Sequence, residues 1–447
     1  MTYRRMIAAL LGGLSLASQP VAAEPVQSQT ASWQILEGLT TEVGPRLAGS
    51  EREAAARDWA VARLRALGLA NVRSEPFTIP GWVRGVETAQ LTAPYPQALH
   101  ITALGNSAPT SDKGISGELV YFSSLAALQA APDGSLKGKI AFIDHAMKAN
   151  QDGSGYGPSG QARRQGPSVA SAKGAIAVVI RSIGTDHNRD PHTGVTNFDK
   201  GAAAIPAGAV SAPDADLIAR IAARGKPIRI ALTLTGHPQA NMPSGNVIAD
   251  VPGRDPALPA ILIGCHLDSW DLGTGAIDDA AGCAIITDAA LRLRSGGQPL
   301  RTVRVLWAGS EELGGFGGDA YAAAHAGEPH ALAMESDFGA DRVWRVQFRL
   351  ADSNKPLTDK VMAALSPLGI VRGPGRANGG TDVEPIIERQ NLAVIDLNQD
   401  GTRYFDLHHT PDDTLDKVDP AQLEQNVQAW LAVLQVVANE AGPISSN

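Results

Sequence analysis

Cysteine is scarce in this chain, which excludes one common way of stabilising a fold. Cys265 and Cys283 are the only cysteines among 447 residues, so no disulfide framework can support the structure. An oxidising compartment would permit one bridge between them. Each cysteine nevertheless lies in an apolar context, and we expect two buried free thiols.

Runs of basic residues and long internal apolar runs are also absent from the sequence. The formal net charge of −8, without a basic cluster, argues against nucleic acid or an anionic membrane as a partner. Beyond the first residues, no apolar run approaches the roughly 20 residues that span a bilayer. We therefore expect the mature protein to be soluble. No internal repeat is visible.

The first residues have the pattern of an export signal. An apolar run from Met6 to Ala17 follows two arginines, and Val21-Ala22-Ala23 provides a small-residue cleavage signal. A membrane anchor is the alternative, but it needs about 20 apolar residues and this run is shorter. We predict a signal peptide over residues 1–23, cleaved after Ala23, and a secreted or periplasmic protein.

The length suggests two or three domains, and the texture of the sequence changes along the chain. Residues 24–99 read as the first part of a split domain, with a helix capped by Ser50 and ended by Gly68. Residues 100–240 contain short β-type runs punctuated by Gly, Pro, Asp and Ser, which favours a β-rich inserted domain. Within it, the glycine- and serine-rich stretch from Gly153 to Gly160 reads as a flexible loop.

Residues 241–447 alternate strands with helices and end in a helix that Asp419 caps and Pro420 begins. This order predicts an α/β fold with a mostly parallel mixed sheet flanked by helices. Acidic and histidine side chains follow the carboxyl ends of the predicted strands. Because open α/β sheets place their binding sites at that edge, we expect a functional site there.

His266 and Asp268 come directly after a predicted strand that ends at Cys265. Two residues apart on an extended chain, they project the same way, so the carboxylate can accept the imidazole N–H and orient the ring toward a metal ion. A histidine satisfied by an acid in a surface turn explains this pair equally well on its own.

Paired acids follow at Asp278-Asp279 and at Glu311-Glu312. The first pair precedes a predicted helix and could simply cap it. The second pair comes after an apolar strand, where two glutamates would repel each other unless a cation or a shared proton relieves them. One glutamate can then bind a metal ion while the other takes a proton from water. Asp337 and His409 lie further along the chain, and each is unremarkable singly.

Five such groups occur in one half of the chain, and they are His266, Asp278, Glu312, Asp337 and His409. Two imidazoles and three carboxylates form a nitrogen and oxygen ligand set that suits zinc, with cobalt or manganese as substitutes. If one carboxylate bridges, two metal ions would lie roughly 3.5–4 Å apart, as in two-metal hydrolases.

These residues lie in six stretches, which are Gly264–Asp271 (GCHLDSWD), Gly273–Gly282 (GTGAIDDAAG), Trp307–Gly318 (WAGSEELGGFGG), Met334–Asp337 (MESD), Gly379–Asp382 (GGTD) and Tyr404–Thr414 (YFDLHHTPDDT). Together they resemble the co-catalytic zinc aminopeptidase family, and within it the plasma glutamate carboxypeptidase (carboxypeptidase Q) branch. The inserted segment also looks like a protease-associated domain. The resemblance therefore runs from about Gly44 to the last helix.

The resemblance implies how the metal ligands are divided. His266 and Glu312 would share one zinc ion, and Asp337 and His409 would share the other. Asp278 would bridge the two ions. The fold implied is that of the zinc exopeptidases.

The resemblance also implies roles for the neighbouring residues. Glu311 would be the general base, and Asp268 would orient the first imidazole. The peptide bond between Asp278 and Asp279 would be cis. His408 competes with His409 as a ligand, and the His-Thr-Pro-x-Asp-Thr pattern favours His409.

The implied activity is that of a two-zinc exopeptidase acting on dipeptides or short peptides with a free amino terminus. Candidate substrate contacts are Asp382, Tyr404 and His408, although ordinary loop packing explains them as well. Family analogy suggests a homodimer. One alternative is a glutaminyl-cyclase-like acyltransferase, which uses one metal ion on the same fold. Another is a non-catalytic binding protein, and the presence of all five ligands favours hydrolysis over both.

Overall fold

A computed structural model describes residues 30–447, and the predicted signal peptide lies outside this part of the chain. The described residues form two eight-stranded sheets with helices packed around them. Strands from both ends of this part of the chain build the first sheet, and the strands between them build the second.

The strands are, in chain order, β1 (Ala70–Val83), β2 (Glu87–Ala93), β3 (Gln97–Leu99), β4 (Ile101–Ala103), β5 (Ile115–Phe122), β6 (Ile140–Ile143), β7 (Ala177–Arg181), β8 (Ala207–Val210), β9 (Ile228–Leu234), β10 (His237–Val251), β11 (Ala260–His266), β12 (Val303–Ala308), β13 (His330–Glu335), β14 (Val343–Arg349), β15 (Val371–Arg372) and β16 (Ala393–Gln399). The α-helices are α1 (Ala31–Gly38), α2 (Glu51–Ala66), α3 (Leu125–Gln129), α4 (Tyr156–Arg164), α5 (Gly166–Ala172), α6 (Ala212–Ala222), α7 (Ala281–Ser295), α8 (Phe316–Ala324), α9 (Lys355–Leu365), α10 (Glu384–Gln390), α11 (Tyr404–Leu407) and α12 (Pro420–Val437). Short turns of 3₁₀ or π type lie at Leu39–Val43, Ala276–Ala280, Asp352–Asn354, Ser366–Leu368 and Leu415–Lys417.

The first sheet has the strand order β1-β10-β12-β11-β13-β16-β14-β15. Its central strands β12, β11, β13 and β16 are mutually parallel, and antiparallel pairs flank them. Apolar side chains of α7 and α12 pack on one face, and those of α8 and α10 pack on the other. Parallel strands need this burial on both faces. The expected α/β fold with a mostly parallel mixed sheet is confirmed.

Three of the parallel strands end at the same edge of this sheet. His266 pairs with Ala308 at the ends of β11 and β12, and Gly264 pairs with Glu335 at the end of β13. Because parallel strands point the same way, the loops that follow them begin side by side. This edge is where the sequence predicts the functional residues.

The second sheet has the order β3-β2-β9-β5-β6-β7-β8-β4. Helix α6 packs on one of its faces, and α3 and α5 pack on the other. The sheet begins with β2 at Glu87, earlier than the expected boundary at residue 100, because Glu87–Ala93 pairs with β9. The chain returns to the first sheet in β10, which pairs with β1 from Ala70 to Val83. These two long strands join the sheets.

The stretch from Gly153 to Gly160 contains the beginning of a helix, so the prediction of a flexible loop is wrong over its second half. Helix α4 begins at Tyr156. Pro158 lies in the first turn of this helix, where its missing N–H has no helical partner to lose. A Gly-, Pro- and Ser-rich composition is therefore compatible with a helix start, and the apolar Ala162 is buried one turn later.

The helix ends predicted from the sequence agree with the structure. The Ser50 side chain accepts a hydrogen bond from the Glu53 N–H, and the chain turns at Gly68 with a φ of 77°. The Asp419 side chain caps α12 by accepting from the Ala421 N–H. Of the helices that the structure describes, none has both the length and the apolar character to cross a membrane.

Cys265 and Cys283 form a disulfide, so the expectation of free thiols is wrong. Cys265 lies on β11 and Cys283 on α7, and their Cα atoms are 5.2 Å apart. This separation lies within the range that a disulfide spans. Both residues are fully buried, because α7 packs directly against the strand that carries His266. Apolar sequence context predicts burial but does not say whether two thiols face each other.

We expect the purified protein to contain no free thiol. Titration of the denatured protein with a thiol reagent should detect none before reduction and two afterwards, because the bridge pairs the only two cysteines. Two reactive thiols in the unreduced, denatured protein would contradict the bridge.

Candidate metal centre

His266 is the last residue of β11, and its side chain is fully buried. Its Nδ1 lies 3.0 Å from the backbone carbonyl oxygen of Asp268. A carbonyl oxygen can only accept, so the hydrogen of the neutral imidazole is on Nδ1. The lone pair on Nε2 is therefore available to a metal ion.

His409 presents its ring in the same way. It lies in the loop after α11 with a φ of 62°, a left-handed conformation that is uncommon outside glycine. Its Nδ1 donates to the backbone carbonyl oxygen of Thr193 at 3.2 Å, and the Thr193 N–H donates to the His409 carbonyl oxygen at 3.1 Å. The Nε2 atom again carries the free lone pair.

The Asp278 carboxylate lies between the two imidazoles. Its Oδ1 is 3.0 Å from His266 Nε2, and its Oδ2 is 3.2 Å from His409 Nε2. His266 Nε2 is also 3.4 Å from Asp337 Oδ1, and His409 Nε2 is 3.0 Å from Glu312 Oε2. The structure therefore pairs His266 with Asp337 and His409 with Glu312. The expected division, which paired His266 with Glu312, is wrong, because a sequence does not say which loops lie on the same side of Asp278.

The ligand atoms fit a pair of zinc ions. Ligands bound tetrahedrally to zinc at about 2.0–2.1 Å lie roughly 3.3 Å from one another, close to the separations between these atoms. Asp278 Oδ2 and Asp337 Oδ1 are buried and accept no hydrogen bond from the described residues. Buried carboxylate oxygens without donors are rare unless a cation is bound.

The charges of the cluster also call for a cation. Burial raises the pKa of Glu312 well above its usual range, and the Asp278 carboxylate adds to this effect. Burial lowers the pKa of His266, but the Asp337 and Asp278 carboxylates outweigh it and hold that pKa well above its usual value. Without a metal ion, the site therefore takes up protons to balance its negative charge.

Glu311 lies beside Glu312 and lines the cavity next to the cluster. Burial, together with the Asp337 and Glu312 carboxylates, raises the pKa of Glu311 to about 8. It has no contact with either imidazole among the ion pairs of the described residues, whereas Glu312 contacts His409. The arrangement leaves Glu311 free to exchange a proton.

Asp268 holds the turn that carries both glutamates. Its carboxylate accepts from the backbone N–H groups of Glu311 at 3.1 Å and Glu312 at 3.3 Å. The expected bond from His266 Nδ1 to this carboxylate is replaced by the bond to the Asp268 carbonyl, since Oδ1 is 3.8 Å from the ring nitrogen. The strand ends at His266, so the alternation that would align the two side chains no longer holds.

The peptide bond between Asp278 and Asp279 is cis, as expected. Two residues that the sequence did not point to, Arg46 and Asp413, support the loop around Asp278. The buried Arg46 guanidinium donates to the backbone carbonyl oxygen of Gly44 at 3.4 Å and to three around this loop, those of Leu267 at 2.5 Å, Thr274 at 2.6 Å and Gly275 at 3.0 Å. The Asp413 carboxylate accepts from the N–H groups of Ala276 and Ile277, each at 2.7 Å. The sequence shows these two residues in the GPRL and HTPDDT stretches, but it does not show which backbone groups they bond.

A cavity of about 460 Å³ opens onto the cluster. Tyr404 and His408 line it as expected. Asp382 does not, because its carboxylate is fully buried behind the cavity wall, near Glu335. His408 stacks on His409, but its Nε2 is 3.5 Å from Asp278, and no hydrogen bond fixes its Nδ1. His409 is therefore the better placed ligand.

Helix α4 supplies three lining residues that the sequence analysis did not identify, and these are Tyr156, Arg163 and Arg164. The expected flexible loop, Gly153 to Gly160, contained Tyr156 but neither arginine. A second cavity of about 200 Å³ adjoins the first through Asp337, Phe338 and Thr381. Its wall is acidic and carries no lysine or arginine.

Zinc-dependent hydrolases use such groups, namely buried imidazoles and carboxylates at the carboxyl edge of a helix-flanked sheet with a glutamate beside them that can exchange a proton. Residues 246–434 match the model of peptidase family M28. Carboxypeptidase Q from Bos taurus is 34% identical over 418 residues, which cover 92% of this chain and 86% of that protein. Carboxypeptidase Q from Homo sapiens is 33% identical over 417 residues, with the same coverage of both chains. The chain therefore belongs to peptidase family M28.

Solved structures agree with this assignment. A peptidase M28 precursor from Shewanella amazonensis SB2B has 46% identity and a TM-score of 0.91, covering 94% of this chain and 95% of its own. BSAP, a zinc aminopeptidase from Bacillus subtilis, has 20% identity and a TM-score of 0.64, covering 94% and 98%. This second similarity supports the fold alone.

We expect Asp268→Asn to lower the affinity for zinc about 10- to 100-fold. Asparagine offers one acceptor oxygen where the carboxylate serves two N–H groups, so Glu312 would lose its fixed position. Zinc retained after dialysis against a chelator measures the effect. The exposed Asp319→Asn serves as the matched control. Equal zinc retention in both variants would contradict this role of Asp268.

Proposed function

We propose that this protein is a two-zinc exopeptidase that hydrolyses dipeptides or short peptides with a free amino terminus. The observation that carries the proposal is the Asp278 carboxylate, which offers one oxygen to each of two imidazoles at 3.0 and 3.2 Å. Three buried groups in such contact, each with a free lone pair, repel one another unless a cation or a proton lies between them.

One zinc ion would be held by His266 and Asp337, the other by His409 and Glu312, and Asp278 would contact both. Cobalt or manganese would be substitutes, since the donors are nitrogen and oxygen. When bound, the two ions would polarise the scissile carbonyl and lower the pKa of a water molecule.

Glu311 is the residue best suited to move protons in this site. It would take a proton from water and then deliver it to the leaving amine. Its pKa of about 8 in the metal-free chain is raised by burial, and a nearby cation would lower it toward the working pH. Asp268 would keep Glu311 in place through its backbone N–H.

The acidic second cavity supports the requirement for a free amino group. Glu335, Asp337 and Asp396 lie in its wall, and no cationic side chain offsets them there. Burial raises the pKa of Glu335 to about 8 and that of Asp396 to about 6. An α-ammonium group entering from the main cavity would favour the ionised form of these carboxyl groups and donate to them, whereas an acylated amine would bring no charge. The relative with 34% identity, carboxypeptidase Q, is named for an activity at a chain terminus.

The two alternatives are less well supported. An acyltransferase of the glutaminyl-cyclase kind needs one metal ion, whereas here two imidazoles each have a carboxylate of their own in addition to Asp278. A non-catalytic binding protein has no use for an unbonded glutamate beside the cluster. Both alternatives remain outcomes of the experiments below.

We also propose that the protein is exported. The predicted signal peptide supports export, and so does the disulfide, which is typical of oxidising compartments. The homodimer suggested by family analogy stays a prediction that the mass of the protein in solution would test.

We expect Glu311→Gln to lower kcat at least about 100-fold while zinc content stays at the wild-type level, because the change removes a base and not a ligand. Dipeptide hydrolysis and metal quantification on the same samples test this. The exposed Glu388→Gln is the control. Loss of zinc in Glu311→Gln would mean that the roles of the two glutamates are exchanged.

We expect an unblocked dipeptide to be hydrolysed with a kcat/KM about 10- to 100-fold higher than its N-acetyl derivative, since acetylation removes a charged hydrogen-bond donor. A chelator should abolish hydrolysis of both substrates, and added zinc should restore it. Equal rates for the two substrates would contradict the requirement for a free amino terminus. Cyclisation of N-terminal glutamine without hydrolysis would favour the acyltransferase, and no turnover with zinc bound would favour the binding protein.

A further inference from the structure

We propose that the segment carrying the second sheet is part of the metal site. Through Thr193 and Arg163, this segment determines the affinity for the zinc ion that His409 and Glu312 would bind. The inference rests on the proposed two-zinc site. It assigns a positioning role to two residues that lie outside the matched region of family M28.

The two imidazoles are held by different parts of the chain. His266 donates its Nδ1 hydrogen to a carbonyl two residues away, so the first sheet orients this ring alone. His409 donates to Thr193, which lies 216 positions earlier in the segment of the second sheet. The Thr193 N–H also bonds the His409 carbonyl oxygen, so a pair of hydrogen bonds fixes both the ring and its backbone. Of the two proposed zinc ions, only the one that His409 and Glu312 would bind therefore depends on the segment of the second sheet.

Arg163 is directed at the same carbonyl. Its Nη1 donates to the Thr193 oxygen at 3.0 Å, and its Nη2 contacts the Tyr156 hydroxyl at 2.6 Å. The side chain is 3% exposed and forms no ion pair within residues 30–447. Burying a cation without a carboxylate partner costs free energy, so we interpret the two hydrogen bonds to Thr193 and Tyr156 as the structural role of Arg163.

The Thr193 side chain is fixed as well. Its hydroxyl donates to the Ala103 carbonyl oxygen at 2.8 Å and lies 3.3 Å from Arg84 Nη2. Arg84 in turn bonds Asp271, which follows the His266 loop, at 2.6 Å. Thr193 is thus bonded to Ala103 of the second sheet and, through Arg84, to Asp271 of the loop after β11. Its carbonyl oxygen therefore has little freedom to move with the His409 ring.

Electrostatics and positioning predict opposite effects when Arg163 is removed. Loss of a nearby positive charge would strengthen the binding of both zinc ions. Loss of support for the Thr193 carbonyl would weaken only the ion bound by His409 and Glu312. The sign and the selectivity of the change therefore separate the two explanations.

The test is a competition titration of zinc between the protein and a chelating dye, with the wild type and Arg163→Met compared. Glu312→Gln and Asp337→Asn identify which of the two affinities belongs to which half. We expect Arg163→Met to weaken zinc binding about 10- to 100-fold at one site, the site whose affinity Glu312→Gln also lowers. The affinity of the other site should stay within about twofold of the wild type. Arg189→Met, an exposed arginine of the same segment, is the control and should bind zinc as the wild type does.

Thr193→Val provides a second variant in case Arg163→Met does not fold. It keeps the carbonyl but removes the hydroxyl bond to Ala103, so it should weaken the same affinity to a smaller extent. Unchanged or tighter binding at both sites in these variants would overturn the inference, as would an equal loss at both. If the wild type binds fewer than two zinc ions, the two-zinc proposal itself fails.

Discussion

The structure around the metal centre depends on the need to balance buried negative charge. Asp278 contacts two imidazoles whose Nδ1 hydrogens are already used by backbone carbonyls, so neither ring can donate to it in its neutral form. Glu312 and Asp337 bring further carboxylates to the same place. These side chains are largely buried, so cations or protons are needed to stabilise the group. A zinc metallopeptidase uses this constraint, because the ions that balance the charge are also the ions that do the chemistry.

The fold positions the loops of this site with hydrogen bonds between buried charged side chains and backbone groups. Asp268 and Asp413 each accept two N–H groups, while Arg46 donates to three carbonyl oxygens around the Asp278 loop. The disulfide joins β11 to α7 just beside His266. Backbone bonds of this kind orient a loop without adding a competing ligand, so the metal-binding oxygens remain free. The loops are rigid because they are tied to one another and not only to the sheet.

The second sheet contributes to the site as well as to the shape of the molecule. Helix α4 places Tyr156 and two arginines on the wall of the main cavity, which adjoins the acidic second cavity. The Thr193 carbonyl oxygen accepts from both Arg163 of this wall and His409, so one segment contacts both the cavity and the histidine cluster.

The sequence by itself determined the class of fold, the strand ends that carry the site and the identity of the five metal-binding candidates. This was possible because strand and helix periodicity, caps and the order of elements are local properties. Only the tertiary structure decided which imidazole faces which carboxylate, that Asp268 holds Glu311 and Glu312, that Asp382 lies behind the cavity, and that Cys265 meets Cys283. Each of these depends on the distance between segments far apart in the chain, and a local pattern does not contain that distance.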